Sequence, residues 1–247
     1  RHKTKRKRMA PTSTTTITTK ALQSPPPSNK KRPYDIILFG ATGDTGRCVA
    51  HFLHNKGALL GIQSWTLAAR NSTKINTMFE PILSLDSNNN KSSSSSNKSN
   101  NGTGIQCGKP IIADCNDYAS LLTMASQATI ILTCAGPFTT YGETLLQACI
   151  ECSTHYVDIT GENPWVNQMA ATYGVEAKSK GLYMISQAGY DSVPSDLTVA
   201  LAAEMVGEDC NYVETHHELR GGSMPVGTVN TILTMVLGLR RSVLAVV

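Results

Sequence analysis

The sequence has no Gly-x-x-x-x-Gly-Lys in its 247 residues, which excludes a P-loop nucleotide hydrolase. None of its eight tyrosines is followed by lysine four residues later. Tyr173 comes nearest, with Lys178 one place too far, so the Tyr-x-x-x-Lys acid and orienter of short-chain reductases is missing. There is no apolar core of a secretory signal near the start, and Thr228 to Leu239, apolar and helix-like, is too short to span a bilayer and runs into Arg240-Arg241. The seven cysteines, an odd number, are scattered through expected strands and helices and read as reduced thiols of an intracellular protein. Cys149-Ile150-Glu151-Cys152 has Cys-x-x-Cys spacing, but it ends a helical pattern, where no helix N-terminus stabilises a thiolate, so a redox or metal role is not expected.

Acid is absent from residues 1 to 32, where ten of the 22 Lys and Arg fall; the rest of the chain carries 12 basic against 18 acidic residues, a net −6 that argues against nucleic-acid binding. Two readings of the run Arg1 to Arg8 stay open: a localisation signal or basic arm, or sequence ahead of a translation start at Met9. Residues 1 to 33, basic and rich in Ser, Thr and Pro, cannot build a core and read as a disordered tail, with a faint likeness to an organelle transit peptide.

What is present is Gly40-Ala41-Thr42-Gly43-Asp44-Thr45-Gly46, between the apolar run Asp35 to Phe39 and a helical segment, Arg47 to Lys56. Strand, glycine turn and helix together cradle a dinucleotide pyrophosphate. Gly40 permits the turn, Gly43 lets backbone approach the phosphates, and Gly46 lets helix pack on strand. The helix start offers N–H groups and a positive dipole end to the anion. The bland alternative is an ordinary glycine turn.

The second strand, Trp65 to Ala69, ends in Arg70, and no Asp or Glu lies between Gly57 and Asn71. An acidic residue at this strand end binds the 2′-hydroxyl of NAD, whereas arginine pairs with the 2′-phosphate of NADP. NADP is therefore expected over NAD, unless Arg70 merely solvates a loop. Further strands are expected at Pro110 to Ala113, Ala128 to Thr133, His155 to Asp158 and Leu182 to Ser186. Helices are expected at Ser72 to Pro81, Tyr118 to Gln127, Glu143 to Ile150, Pro164 to Lys180 and Pro194 to Met205. Asn116 or Asp117 can cap the Tyr118 helix. This alternation predicts an α/β fold, a Rossmann-type doubly wound parallel sheet. Residues 87 to 104 form a Ser/Asn tract that reads as a low-complexity insert in a domain spanning 34 to 205.

Ligands bind at the carboxyl ends of such strands. Asp114, after the third strand, joins the cofactor set there, and so do Cys134, Ala135, Gly136 and Pro137, whose small residues let backbone lie against ribose or nicotinamide. Tyr141, closing that loop with Gly142, and Asp191 and Ser192, after the sixth strand, are candidates on the substrate side. Asp191 or Ser192 serves equally well as a helix cap. Cys210 to Leu219 alternates weakly and is expected to be a strand opening a second domain over 206 to 247.

These motifs resemble the saccharopine dehydrogenase-like oxidoreductase family, which includes trans-acting enoyl reductases of lipid biosynthesis. The residues that carry the likeness are Gly40 to Gly46, Ala69-Arg70, Gly136-Pro137-Phe138 with Tyr141-Gly142, Tyr156 to Glu162, and Gly189 to Asp196, covering about Tyr34 to Thr231. The resemblance implies an NAD(P)-binding Rossmann domain followed by an α+β substrate domain. It also implies a link to glycolipid metabolism and association with lipid droplets, mitochondria or other membranes. Members usually continue well past Gly227-Thr228, so the second domain is expected to be incomplete here. Cofactor binding is then expected to survive, with weak catalysis on a small-molecule or lipid substrate, and exposed apolar surface favouring membrane attachment or a homo-oligomer. A non-catalytic nucleotide-binding protein is the alternative.

Overall fold

The computed structural model describes residues 32–80, 106–218, 220–221, 228–229 and 232–233. The Ser/Asn tract, nearly all of the basic tail and the stretch after Leu233 lie outside the described residues. The strands are β1 (Tyr34–Phe39), β2 (Ser64–Ala69), β3 (Gln106–Cys107), β4 (Ile111–Ile112), β5 (Ala128–Thr133), β6 (His155–Asp158) and β7 (Met184–Ile185). The helices are α1 (Asp44–Lys56), α2 (72–80), α3 (Tyr118–Ala125), α4 (Phe138–Glu151), α5 (Asn163–Ser179) and α6 (Val193–Val206).

Every strand pairing is parallel, in the order β3-β2-β1-β5-β6-β7, with β4 also on β2. β3 and β4 are two pieces of one edge strand, pairing with the start and the end of β2. The break falls at Gly108-Lys109-Pro110, where the Thr66 hydroxyl sits within hydrogen-bonding distance of the Gly108 and Lys109 carbonyls. Proline has no N–H to give to the ladder. The single strand expected at Pro110 to Ala113 is thus shorter, and half of this edge lies earlier in the chain.

Alternation along β1 sends side chains to two cores. Ile37 and Phe39 join Leu121 and Met124 of α3, Leu145 of α4 and Trp165 of α5. Leu38 joins Leu67, Leu53 of α1 and Ile75 and Phe79 of α2. Helices cover both faces, which is why Ile36 to Phe39 of β1 reads as an unbroken apolar run. Each large side chain buried here contributes about 1.5–3 kcal/mol.

Arg32 anchors the amino end of β1. Its guanidinium donates to the carbonyls of Ala125 (3.0 Å), Cys152 (2.6 Å) and Ser153 (2.9 Å), and also to the Ala128 carbonyl and the Thr154 hydroxyl. These groups close the carboxyl ends of α3 and α4, where helix dipoles favour a cation.

Two expectations are corrected. Residues 210–218 form no strand; the weak alternation meets no partner among the described residues, and a strand without a neighbour leaves its backbone groups unpaired. Helix α4 starts at Phe138, five residues before the expected Glu143, because its first amides are capped from a distant loop. Tyr141 and Gly142 therefore lie on a helix, not in a loop, and a Cβ on Gly142 would stand 2.5 Å from the Trp165 ring of α5.

Helix α6 is apolar on every side yet buries no residue. Leu197, Leu201 and Met205 are 61%, 58% and 80% exposed.

Candidate dinucleotide site

The strand order reverses between β1 and β5, and there a cleft of about 650 Å³ opens at the carboxyl ends of the strands. Its floor is the glycine turn. Gly40 has φ +79°, and a Cβ on it would stand 2.8 Å from the Ala135 nitrogen. A Cβ on Gly46 would press to 2.3 Å from the Gly40 carbonyl oxygen. Gly43 differs: a Cβ there meets only the Gly40 oxygen, at 3.5 Å. Gly40 and Gly46 are required by the protein's own packing, whereas the space beside Gly43 is open to the cleft that it lines.

Gly43 is the N-cap of α1, with no side chain to cap it. The amides of Asp44, Thr45 and Gly46 have no acceptor among the described residues. By contrast, the Asp117 carboxylate accepts the Ser120 amide of α3 at 3.3 Å. On α4 the buried Glu162 carboxylate accepts the amides of Phe138 (2.8 Å) and Thr139 (2.7 Å) and the Thr139 hydroxyl. Of these three helix starts, only that of α1 leaves donors free over the cleft, an arrangement suited to an anion. The Asp44 carboxylate pairs with Arg47 of its own helix at 3.3 Å.

At one end of the cleft stand Arg70, after β2, and Asp114, Cys115 and Asn116, after β4. Arg70 is exposed and makes no hydrogen bond or ion pair among the described residues. At the other end lie Tyr141, Ile159, Asp191, Thr228 and Ile232. Cys134, Ala135 and Gly136 line the cleft from the end of β5. Burial pushes the Cys134 thiol up to about 12; burial, then the Asp114 carboxylate, pushes Cys115 up to about 11. Both stay protonated at neutral pH and are poor nucleophiles.

The fully buried Asp158 ties the last two strand ends together. Its Oδ1 accepts the amides of Thr160 (2.9 Å) and Gln187 (3.0 Å), and its Oδ2 accepts the Ser186 hydroxyl (2.8 Å).

Of the residues singled out by sequence, Gly40, Thr42, Gly43, Asp44, Thr45, Gly46, Arg70, Asp114, Cys134, Ala135, Gly136, Tyr141 and Asp191 line this one cleft. Ala41 is buried behind the turn, and Pro137 and Ser192 are the N-cap residues of α4 and α6. Ser192 caps by position only, without a side-chain hydrogen bond. Ile159, Thr160 and Gly161, part of the Tyr156-to-Glu162 motif but given no individual role by the sequence, also line the cleft, as do Thr228 and Ile232. The Asp158-to-Glu162 segment announces itself only as a strand-end loop; nothing local marks Glu162 as a helix cap. Cys149 is fully buried with its thiol pKa raised by that burial, no disulfide forms, and no His, Cys, Asp or Glu cluster suited to a metal occurs among the described residues.

Residues 36–185 match the saccharopine dehydrogenase NADP binding domain. The chain belongs to that family. It is 32% identical over 209 residues to the "Lipid droplet localized protein" of Caenorhabditis elegans, covering 83% of this chain and 45% of that one. It is 31% identical over 206 residues to a human saccharopine dehydrogenase-like oxidoreductase (79% and 43%). It is 30% identical over 178 residues to a Mycobacterium tuberculosis protein named as a trans-acting enoyl reductase (72% and 37%). The chain thus spans less than half the length of each of these relatives. As a saccharopine dehydrogenase-like chain it carries an NADP-binding Rossmann domain, and the site fits that group: free α1 amides, an open approach at Gly43 and an unpaired Arg70. No helix among the described residues is long and apolar enough to cross a membrane.

Proposed function

We propose that this domain binds NADP(H) in preference to NAD(H) and serves hydride transfer to an uncharged, apolar lipid carbonyl or enoyl group. The observation that carries the reading is Arg70, an unpaired guanidinium in the cleft wall with no carboxylate beside it on β2. Guanidinium matches a phosphate monoester in charge and in its planar fork of donors. The amides of Asp44, Thr45 and Gly46 hold the pyrophosphate, and Ala135 and Gly136 offer flat backbone to the ribose and nicotinamide. When bound, the nicotinamide supplies the hydride.

Tyr141 and Asp191 are the polar groups on the substrate side. Ile159 and Ile232 make that end apolar, and no lysine or arginine lines it among the described residues. A substrate bearing carboxylates meets no counter-charge there, which supports a neutral lipid-like substrate. The names of the worm and mycobacterial relatives point the same way. Closure over the nicotinamide to exclude water requires surface beyond the described residues. The second reading, a non-catalytic nucleotide-binding protein of lipid droplets or membranes, is favoured by the exposed apolar α6. Titration of the chain with NADPH and NADH tests the first part: NADPH should bind at least tenfold more tightly, and equal affinities overturn the assignment. Stopped-flow oxidation of NADPH with medium-chain enoyl or keto thioesters separates the two readings.

A further inference from the structure

Tyr141 brings to the substrate end of the cleft a hydroxyl that is held in place yet unengaged. It is the fourth residue of α4, and its amide donates to the Pro137 carbonyl at 3.1 Å, so it stands one turn along from the Ala135-Gly136 backbone. That turn is fixed from several sides. The Glu162 carboxylate grips the Phe138 and Thr139 amides at its start, and the Phe138 ring centre lies 5.8 Å from that of Trp165. Gly142, the next residue, leaves no room for even a Cβ against Trp165. The half-buried Tyr141 lines the cleft, and its hydroxyl has no hydrogen-bond partner among the described residues. By contrast, the hydroxyls of Tyr118 and Tyr173 donate to Glu151 (2.7 Å) and Glu143 (2.9 Å).

The other polar groups near that end are engaged or chemically unsuited to give a proton. Glu162 is saturated by two amides and the Thr139 hydroxyl, and the buried Thr160 accepts the Glu162 amide at 3.0 Å. Asp191 is an exposed carboxylate, which accepts but does not donate at neutral pH, and the Cys134 thiol is a weak donor. Thr228 is an alkyl alcohol, a far weaker acid than a phenol. Resting on the hydride-transfer reading above, we propose that Tyr141 is a catalytic residue of this domain, the proton donor to the substrate's carbonyl oxygen. Hydride addition to a carbonyl carbon moves the π pair of the C=O bond onto oxygen. The Tyr141 O–H bond then breaks, its proton joins that oxygen to give the alcohol, and the phenolate takes a proton back from water. Addition to the β-carbon of an enoyl group places the same charge on the conjugated oxygen, and the enol so formed returns to the saturated carbonyl in water. Leu145 stands where a short-chain reductase has its orienting lysine, so the packing of α4 does the orienting instead. A donor fixed in advance costs no reorganisation as the charge develops.

Two measurements on the full chain, wild type and Tyr141→Phe, test this. The first is NADPH oxidation by the N-acetylcysteamine thioesters of trans-2-octenoic and 3-oxooctanoic acids. The variant should lose about 100-fold or more in rate, the range for a general acid, with its NADPH dissociation constant and melting curve almost unchanged. The second is calorimetric binding of 2-octanone and of octane to the NADP⁺ complex, in which no hydride is available. The variant should hold the ketone about three- to tenfold less tightly than wild type, the range for a neutral hydrogen bond, and octane equally well. An unchanged rate in the variant overturns the proposal and leaves the hydride-transfer reading standing. A fall in rate without a ketone-specific loss assigns Tyr141 to packing and overturns it too. A wild type that binds NADPH but oxidises it with neither thioester overturns the hydride-transfer reading and this inference together.

Discussion

The buried carboxylate of Glu162, the N-cap residue of α5, accepts the Phe138 amide hydrogen at 2.8 Å and so holds the first turn of α4 from 24 residues away. The Thr139 amide and hydroxyl complete its partners. Replacing Glu162 by Gln sets an NH₂ group against one of these donors. The expected cost is about 1–3 kcal/mol of stability, seen as a lower denaturant midpoint with unchanged slope. A neutral result would mean that the amides find water instead.

Arg70→Ala should weaken NADPH by about 1–3 kcal/mol and leave NADH almost unchanged, since only the 2′-phosphate is lost as a partner. Calorimetric titration with both cofactors measures the difference. Equal losses would mean that Arg70 touches a part common to the two.

Gly43 and Gly46 should separate binding from folding. In Gly43→Val the new side chain stands in open cleft space, so cofactor binding should vanish while circular dichroism and melting stay near wild type. In Gly46→Val the Cβ lands 2.3 Å from a backbone oxygen, so stability should drop by at least about 1–3 kcal/mol. Retained NADPH binding in Gly43→Val would reduce the turn to a mere connection.

His155 should give the fold an acid sensitivity. Its Nδ1 accepts the Tyr183 amide at 3.1 Å, and burial, then the charge of Arg32, lowers its pKa. The unfolded value is about 6.5. Because the folded value is the lower one, the stability contributed by the neutral ring is complete above about pH 6.5 and is lost as pH falls through the folded value. Urea midpoints at pH 7.5 and 5 should differ less in His155→Asn, which keeps an acceptor for Tyr183, than in wild type. An identical difference would assign the sensitivity to other groups.

Leu201 and Met205 stand one turn apart on α6, both largely exposed. Changing both to Lys should reduce sedimentation with liposomes and self-association, and move stability by no more than about 0.5 kcal/mol. Analytical ultracentrifugation with and without vesicles checks this; a large fall in melting temperature would show that α6 is packed in solution.

The central strands are legible in the sequence because they are buried on both faces: Ile36-Ile37-Leu38-Phe39 and Ile130-Ile131-Leu132 can be little else beside a glycine turn. The edge strand is not, since Gln106-Cys107 has no apolar run and the pairing resumes only past Pro110. The start of α4 is hidden for a different reason. Gly136-Pro137-Phe138-Thr139 reads as loop when its cap, Glu162, lies far along the chain. Much of the cleft was readable from the rule that ligands gather at strand carboxyl ends. Thr228 and Ile232, which reach it from a later helical segment, follow no such rule.

Arg32 gives the molecule two poles. Its guanidinium grips the carboxyl ends of α3 and α4 at the amino side of the sheet, while the cleft opens at the carboxyl side. The backbone at Arg32 therefore enters β1 at the end of the sheet remote from the cleft. A substitution at Arg32 should loosen the amino edge of the sheet without touching a group that lines the cleft.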